Sequence, residues 1–182
     1  MTEMMYEKAN LRLALLAIRS GIEADLRRVW DARIGAAVLR WWELDPVACL
    51  GVYWPMRGEP DLRDVYAKLA GFGVQLALPI VVGPDAPLQF LAWTPGDALV
   101  RDGMGVHAPI GGAVLQPAAL LIPCLGFNAQ LIRLGYGGGF YDRTLALPPR
   151  PMTIGIGYSC CAADFAGEAH DVPMNGMITE VE

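Results

Sequence analysis

Charge is scarce in this chain: Asp, Glu, Lys and Arg make up 18% of its 182 residues, against 54% hydrophobic. That balance excludes a disordered or coiled-coil protein and suggests strands buried on both faces. The charge that is present leans acidic, 14 Lys+Arg against 19 Asp+Glu for a net of -5. The basic surface that general nucleic-acid binding requires is therefore missing, and an anionic ligand has to be met by a local basic cluster. Histidine occurs twice, at His107 and His170; both read as structural or solvent-facing, and no nucleophile–base grouping stands out. The four cysteines, Cys49, Cys124, Cys160 and Cys161, form no C-x-x-C pair. This spacing suits neither a zinc site nor a disulfide framework, and fits reduced, buried thiols in a cytoplasmic protein. The opening MTEMMYEKANLR lacks the apolar core of a signal peptide. Long hydrophobic runs are lacking too. Val74–Val82 and Ala113–Phe127 are interrupted by Gln75, Pro79, Gln116, Pro117 and Pro123, so they read as core strands with their connections, not as membrane spans.

The length suits a single domain, residues 1–182, with no repeat, low-complexity tract or dividing linker. Residues 8–42 read as helical. Leu11, Leu15, Ile18, Ile22, Leu26 and Val29, then Trp30, Ile34, Val38 and Trp41, keep the spacing of one buried stripe. Ser20-Gly21-Ile22-Glu23 has the form of a capping box and predicts a break near Ser20, giving two consecutive helices packed on a sheet. After Pro46 the pattern turns to short apolar runs bounded by Gly and Pro. Val47–Tyr53 and Val74–Val82 read as strands with helix Leu62–Leu69 between them, a β-α-β unit that favours parallel pairing. Leu88–Trp93, Ala118–Phe127, Thr153–Tyr158 and Met177–Val181 are further strands. The expected fold is a three-layer α/β/α domain with a mainly parallel sheet.

The most informative segment is Arg133-Leu134-Gly135-Tyr136-Gly137-Gly138-Gly139-Phe140-Tyr141-Asp142-Arg143. Four glycines in five residues leave Tyr136 with the only Cβ between positions 135 and 139, so a ligand can approach bare main chain. A glycine loop running from a strand into a helix start aims N–H groups at one point, and phosphate suits that geometry best. Arg133 and Arg143 flank the loop and strengthen the phosphate reading against that of a flexible turn. The loop is neither a Walker A motif nor a dinucleotide fingerprint, because Phe140 stands where the third glycine of G-x-G-x-x-G belongs. Lys8, Arg12 and Arg19 fall within about 40° of one another on a helical wheel. That is either a solvated basic face or the local positive charge that an anion needs.

The string RLGYGGGFYDR resembles the signature loop of the 5-formyltetrahydrofolate cyclo-ligase, or methenyltetrahydrofolate synthetase, family. Further segments resemble that family in its order along the chain: Lys8-x-x-Leu11-Arg12 with Arg19, Pro55-Met56-Arg57-Gly58-Glu59-Pro60-Asp61, Trp93-Thr94-Pro95-Gly96-Asp97, and the tail His170-Asp171-Val172-Pro173-Met174-Asn175-Gly176-Met177-Ile178-Thr179-Glu180. The resemblance implies an enzyme that uses ATP and Mg2+ to cyclise 5-formyltetrahydrofolate to 5,10-methenyltetrahydrofolate, with small molecules as its partners and a monomer as the favoured state. A non-catalytic relative that binds nucleotide or folate, and an α/β enzyme holding a sugar phosphate, are the alternatives.

Carried onto this chain, the resemblance assigns ATP to Lys8, Arg12, Arg133, Leu134, Gly135, Tyr136, Gly137, Gly138, Gly139, Phe140, Tyr141 and Asp142. Arg133, Tyr136 and Gly138 are the catalytic candidates, while Arg19 is a weaker one for the phosphates. Folate falls to Met56, Glu59 and Asp61 together with Tyr136, Gly137, Gly138, Gly139 and Phe140. The two acids could accept from the donor-rich edge of a pterin, and Met56 could lie against its ring; Trp54 is a further stacking surface. Asp142 and Asp171 are the metal candidates, since magnesium bound with a nucleotide takes one or two carboxylates. The chain departs from the family's pattern at Ala108, Asn128, Leu131 and Asn175. Leu131 replaces a glycine, so its backbone is expected to need a glycine-like conformation.

Overall fold

The computed structural model describes residues 2–101 and 105–181. Two helices open the chain, α1 (Thr2–Ser20) and α2 (Ala24–Leu44). The break after Ser20 is where the sequence places it, but no capping box forms. Glu23 is itself the residue preceding α2 and makes no side-chain cap. The turn interrupts the apolar stripe: Leu15, Ile34 and Val38 are buried, whereas Ile18, Leu26 and Val29 are exposed.

The next elements are β1 (Cys49–Gly51), α3 (Arg63–Gly71), β2 (Gln75–Ile80), β3 (Gln89–Ala92), β4 (Leu99–Arg101), β5 (His107–Pro109) and β6 (Val114–Leu115). Then come β7 (Ala119–Pro123), β8 (Gly126–Phe127), β9 (Arg133–Leu134), α4 (Phe140–Leu145), β10 (Met152–Ile156), a single 3-10 turn at Ser159–Cys161, and β11 (Gly176–Ile178). The main sheet has seven strands in the order β11-β10-β7-β1-β2-β3-β6. The first five run parallel and the last two are antiparallel additions at one edge. β7 lies at the centre and pairs with β10 from Ala119 opposite Met152 to Pro123 opposite Ile156. Its first four residues are buried, as a strand covered on both faces requires.

Helices α2 and α3 cover one face, where Ile34, Val38, Val65, Tyr66 and Leu69 pack on Leu50, Leu76, Leu78, Leu121 and Ile156. The other layer is thin: Leu145 of α4 and Tyr141 join Ala77, Phe90, Leu120 and Ile122. The run 118–127 does not form one strand. Past Pro123 the chain leaves the sheet, and β8 pairs with β9 in a small ladder of its own. Leu15 of α1 packs there against Leu125 and Leu134. The β4–β5 hairpin falls inside the Gly/Pro stretch that reads as loop in the sequence.

One consequence of the strand order positions everything else. From β1 the chain moves outward to β2, and from β7 it moves the opposite way to β10 and β11, so β1 and β7 are neighbours at a reversal of direction. In parallel sheets the crevice beyond the carboxyl ends of such strands is where ligands bind. The segments that leave these two ends are the Met56–Asp61 loop and, through β8 and β9, the glycine loop.

Candidate functional site

The glycine loop is pinned through its carbonyls. Arg12 Nε donates to the Gly135 carbonyl at 2.9 Å, and an Arg143 Nη donates to the Gly138 carbonyl at 2.7 Å. Arg143 reaches on to the Pro84 and Ala86 carbonyls, so the loop is tied to the segment before β3. Gly137 and Gly139 have φ of +93° and +65°, conformations that glycine adopts without strain. Gly138 is needed for space: a Cβ there would stand 2.8 Å from the Phe140 ring. Leu131, at the head of this segment, has φ of +59°, as its replacement of a glycine predicts.

Arg133 is buried and clamps the base of the loop. One Nη donates to the Val172 carbonyl at 2.8 Å and the other pairs with Asp142 at the start of α4. Asp142 Oδ1 also accepts the Val172 N–H at 3.4 Å, which brings it beside the tail residue Asp171. Asp171 Oδ2 accepts from Lys8 Nζ at 3.4 Å and from the Glu168 N–H at 2.8 Å, and Lys8 pairs with Glu168 at 2.7 Å. The hydrogen bonds to the two aspartates thus fall on Oδ1 of Asp142 and Oδ2 of Asp171. The second oxygens are hard donors of the kind magnesium takes alongside phosphate and water, with His170 Nε2 lying 3.9 Å from that of Asp171. Among the described residues no group of three or more His, Cys, Asp or Glu is assembled in a way that could hold a metal ion.

Across from this stands Glu59, 4% exposed. Its Oε2 accepts the Met56 N–H at 3.0 Å and its Oε1 accepts the Tyr136 hydroxyl at 3.0 Å. Burial pushes the Glu59 carboxyl up from 4.5 to about 7, while the Met56 amide, Arg19 and Tyr136 pull the other way. Burial likewise pushes the Tyr136 phenol up to about 12, so it remains a donor. Arg57 takes the left-handed conformation at φ +49°, and its guanidinium lies 4.9 Å above the Tyr136 ring.

These contacts link Lys8 to Asp171, Arg12 to Gly135, Glu59 to Tyr136, and Asp142 to Arg133 and the Val172 N–H, all about the glycine loop at 135–139. The structure gives other members of the expected set different work. Both Asp61 oxygens are engaged by Arg63 at the start of α3. Tyr141 packs into the core, and Phe140 lies under the Arg143 guanidinium. Trp54 packs against Trp93, His107 and Arg63. Glu168 and Arg57 are contributors that the residue pattern does not single out, because neither belongs to a periodic face or a recurring spacing. Arg19, weakly marked by its helical spacing, is fully buried beside Tyr136. Asn128 uses both ends of its amide, accepting from Gln130 and Ile132 and donating to the Phe165 carbonyl at 2.8 Å, which an aspartate could not do.

Known proteins share this architecture. A solved 5,10-methenyltetrahydrofolate synthetase from Aquifex aeolicus superposes with a TM-score of 0.83 at 24% identity, covering 96% of this chain and 90% of that one. One from Mycoplasma pneumoniae gives 0.81 at 23%, covering 95% and 98%. At such identities these likenesses speak to the fold. In sequence, the chain is 28% identical to the 5-formyltetrahydrofolate cyclo-ligase of Mycolicibacterium smegmatis over 94% of its own length and 93% of the relative's. It is 30% identical to that of Escherichia coli K12 over 71% and 76%. The family model described as 5-formyltetrahydrofolate cyclo-ligase runs from residue 4 to residue 180, and the chain belongs to that family.

Proposed function

We propose that this chain cyclises 5-formyltetrahydrofolate to 5,10-methenyltetrahydrofolate with consumption of ATP, in the crevice between the glycine loop and the Met56–Asp61 loop. The observation that carries this reading is the 3.0 Å hydrogen bond from Tyr136 to Glu59. It joins a residue of the phosphate-type loop to the buried acid of the other loop, so two ligands held by these elements would meet end to end.

A formamide carbon is a poor electrophile and its oxygen a poor leaving group. Attack of the formyl oxygen on the γ-phosphorus breaks the bond to the β-phosphate, and ADP departs with the electron pair. N10 then adds to the activated carbon and loses its proton, the carbon–oxygen bond breaks, and phosphate leaves carrying the former formyl oxygen. The protein needs no nucleophile of its own for this, only positioning and charge neutralisation.

The residues divide accordingly. With the Gly135 and Gly138 carbonyls engaged by Arg12 and Arg143, the loop's N–H groups serve the phosphate oxygens, and Lys8 and Arg12 supply positive charge from α1. Arg133 holds Asp142 in place. Glu59 accepts from the pterin's donor edge with Met56 beside it, and Asp61 secures the loop by its pairing with Arg63. Asp142 and Asp171 would hold Mg2+, which when bound offsets charge on the terminal phosphates. The four cysteines are all free thiols, which supports a reducing compartment such as the cytoplasm. Among the described residues no helix is long and apolar enough to cross a membrane.

Purified protein given ATP, magnesium and 5-formyltetrahydrofolate is expected to develop the near-ultraviolet absorbance of the methenyl product. Binding of both ligands without that absorbance would contradict the reading and leave a binding protein instead.

A further inference from the structure

Arg19, in the last turn of α1, is 1% exposed. Its Nε donates to the Arg57 carbonyl at 3.1 Å, one Nη donates to the Tyr136 hydroxyl, and Nη1 is buried with no hydrogen-bond partner. The Tyr136 hydroxyl passes the contact on to Glu59 Oε1. We propose that Arg19 is a positioning residue that acts on Glu59 through the Tyr136 hydroxyl, setting the charge and aim of that acid and tying the two loops of the site together. This rests on the reading above that Glu59 meets the folate.

Three features of the packing support it. First, a buried guanidinium with an unsatisfied N–H is costly, by about 1–3 kcal/mol for the orphan donor; a purely structural position would be served better by an apolar side chain. Second, Arg57 is a non-glycine residue in the left-handed region, a state that persists where the surroundings over-determine it. Arg19 grips its carbonyl, and the Arg57 guanidinium covers the Tyr136 ring from 4.9 Å, with Arg19 itself 5.8 Å from the ring centre. One fork thus fixes the backbone of the acidic loop and the tip of the glycine-loop tyrosine at the same time. A lysine ammonium, on a single flexible stem, lacks that planar fork. Third, the titratable and charged groups facing Glu59 are Arg19 from α1, Arg57 from its own loop, Tyr136 from the glycine loop, the buried phenols of Tyr53, Tyr66 and Tyr141, and the buried thiol of Cys124. Arg19 and Arg57 are the cations in that set, so loss of Arg19 favours the protonated form of Glu59.

The test is a carbon-13 carboxyl titration of Glu59 in the ligand-free protein, run beside folate kinetics as a function of pH. Arg19→Met and Tyr136→Phe are each expected to move the Glu59 midpoint upward. The double variant is expected to move it little further than Arg19→Met alone, because the two residues act as one chain. Arg19→Lys is expected to bring the midpoint back toward wild type without restoring the folate KM, which in Arg19→Met rises roughly tenfold while the acid limb of kcat/KM shifts to higher pH. An unmoved midpoint in Arg19→Met, or effects that add in full, would overturn the proposal. Should Arg19→Met fail to fold, the midpoints of Arg19→Lys and Tyr136→Phe decide, and an unmoved Tyr136→Phe overturns it. If the midpoints move as expected but wild-type protein does not turn over folate, the link stands and the folate reading fails.

Discussion

Replacing Glu59 with glutamine should make this protein less active, and its stability relative to wild type should depend on pH in a definite direction. Burial raises the Glu59 carboxyl from 4.5 to about 7, so between those values the folded state binds a proton that the unfolded chain has lost. Stability therefore falls as pH rises through that window and stays reduced above it. At about 1.4 kcal/mol per pH unit, the gap from 4.5 to about 7 corresponds to roughly 3 kcal/mol. Glutamine is uncharged at every pH and escapes this penalty. The altered hydrogen bonding to Tyr136 and Met56 adds an offset, but that offset does not change with pH. Thermal melts of the two proteins followed by circular dichroism, from about pH 5 to about pH 8, should show the variant gaining on wild type as pH rises. For a chain of this size the relative gain amounts to roughly 6–12 °C. Folate turnover in the variant should be largely lost, because a carboxylate accepts two N–H bonds from the pterin edge where an amide accepts one fewer. A stability difference that stays flat over this range would refute the reasoning, because it would mean that Glu59 is ionised at no cost in the folded protein.

Two further substitutions probe the glycine loop and its entry. Gly138→Val should lower kcat/KM for ATP by roughly two orders of magnitude with an unchanged far-ultraviolet spectrum, since the added Cβ forces the Phe140 ring away from 2.8 Å and displaces the loop by a fraction of an ångström or more; wild-type kinetics would mean that the phosphate site lies elsewhere. Leu131→Asn should stabilise the protein by about 0.5–1 kcal/mol in urea unfolding, because asparagine tolerates the left-handed backbone at φ +59° that leucine resists; a loss of stability would show that the leucine side chain contributes more than its backbone costs.

The parts of the fold that can be read from residues are those governed by local periodicity. The helix break near Ser20, the β-α-β unit around Leu62–Leu69 and the central apolar strand beginning near Ala118 all emerge from spacing. The division of Ala118–Phe127 does not, because Leu125 and Phe127 remain apolar while leaving the sheet: Leu125 is buried under Leu15 of α1, a contact far away in sequence. The exposure of Leu26 and Val29 escapes the wheel for a related reason, since the three-residue turn between α1 and α2 resets the phase of the stripe, while Ile18 is exposed on α1 itself. In the site, glycines and flanking arginines mark the loop plainly. Arg19 and Glu59 carry ordinary signals, a helical spacing and an acid in a Gly/Pro turn. Their burial against each other through Tyr136 exists only once α1, the acidic loop and the glycine loop have come together.

The most direct test of the account follows one atom. With oxygen-18 placed in the formyl group of 5-formyltetrahydrofolate, mass spectrometry of the released inorganic phosphate is predicted to find the label there, one atom per turnover. Unlabelled phosphate, with the heavy oxygen recovered in water, would show that the formyl oxygen never receives the phosphoryl group and would contradict the proposed chemistry of this crevice.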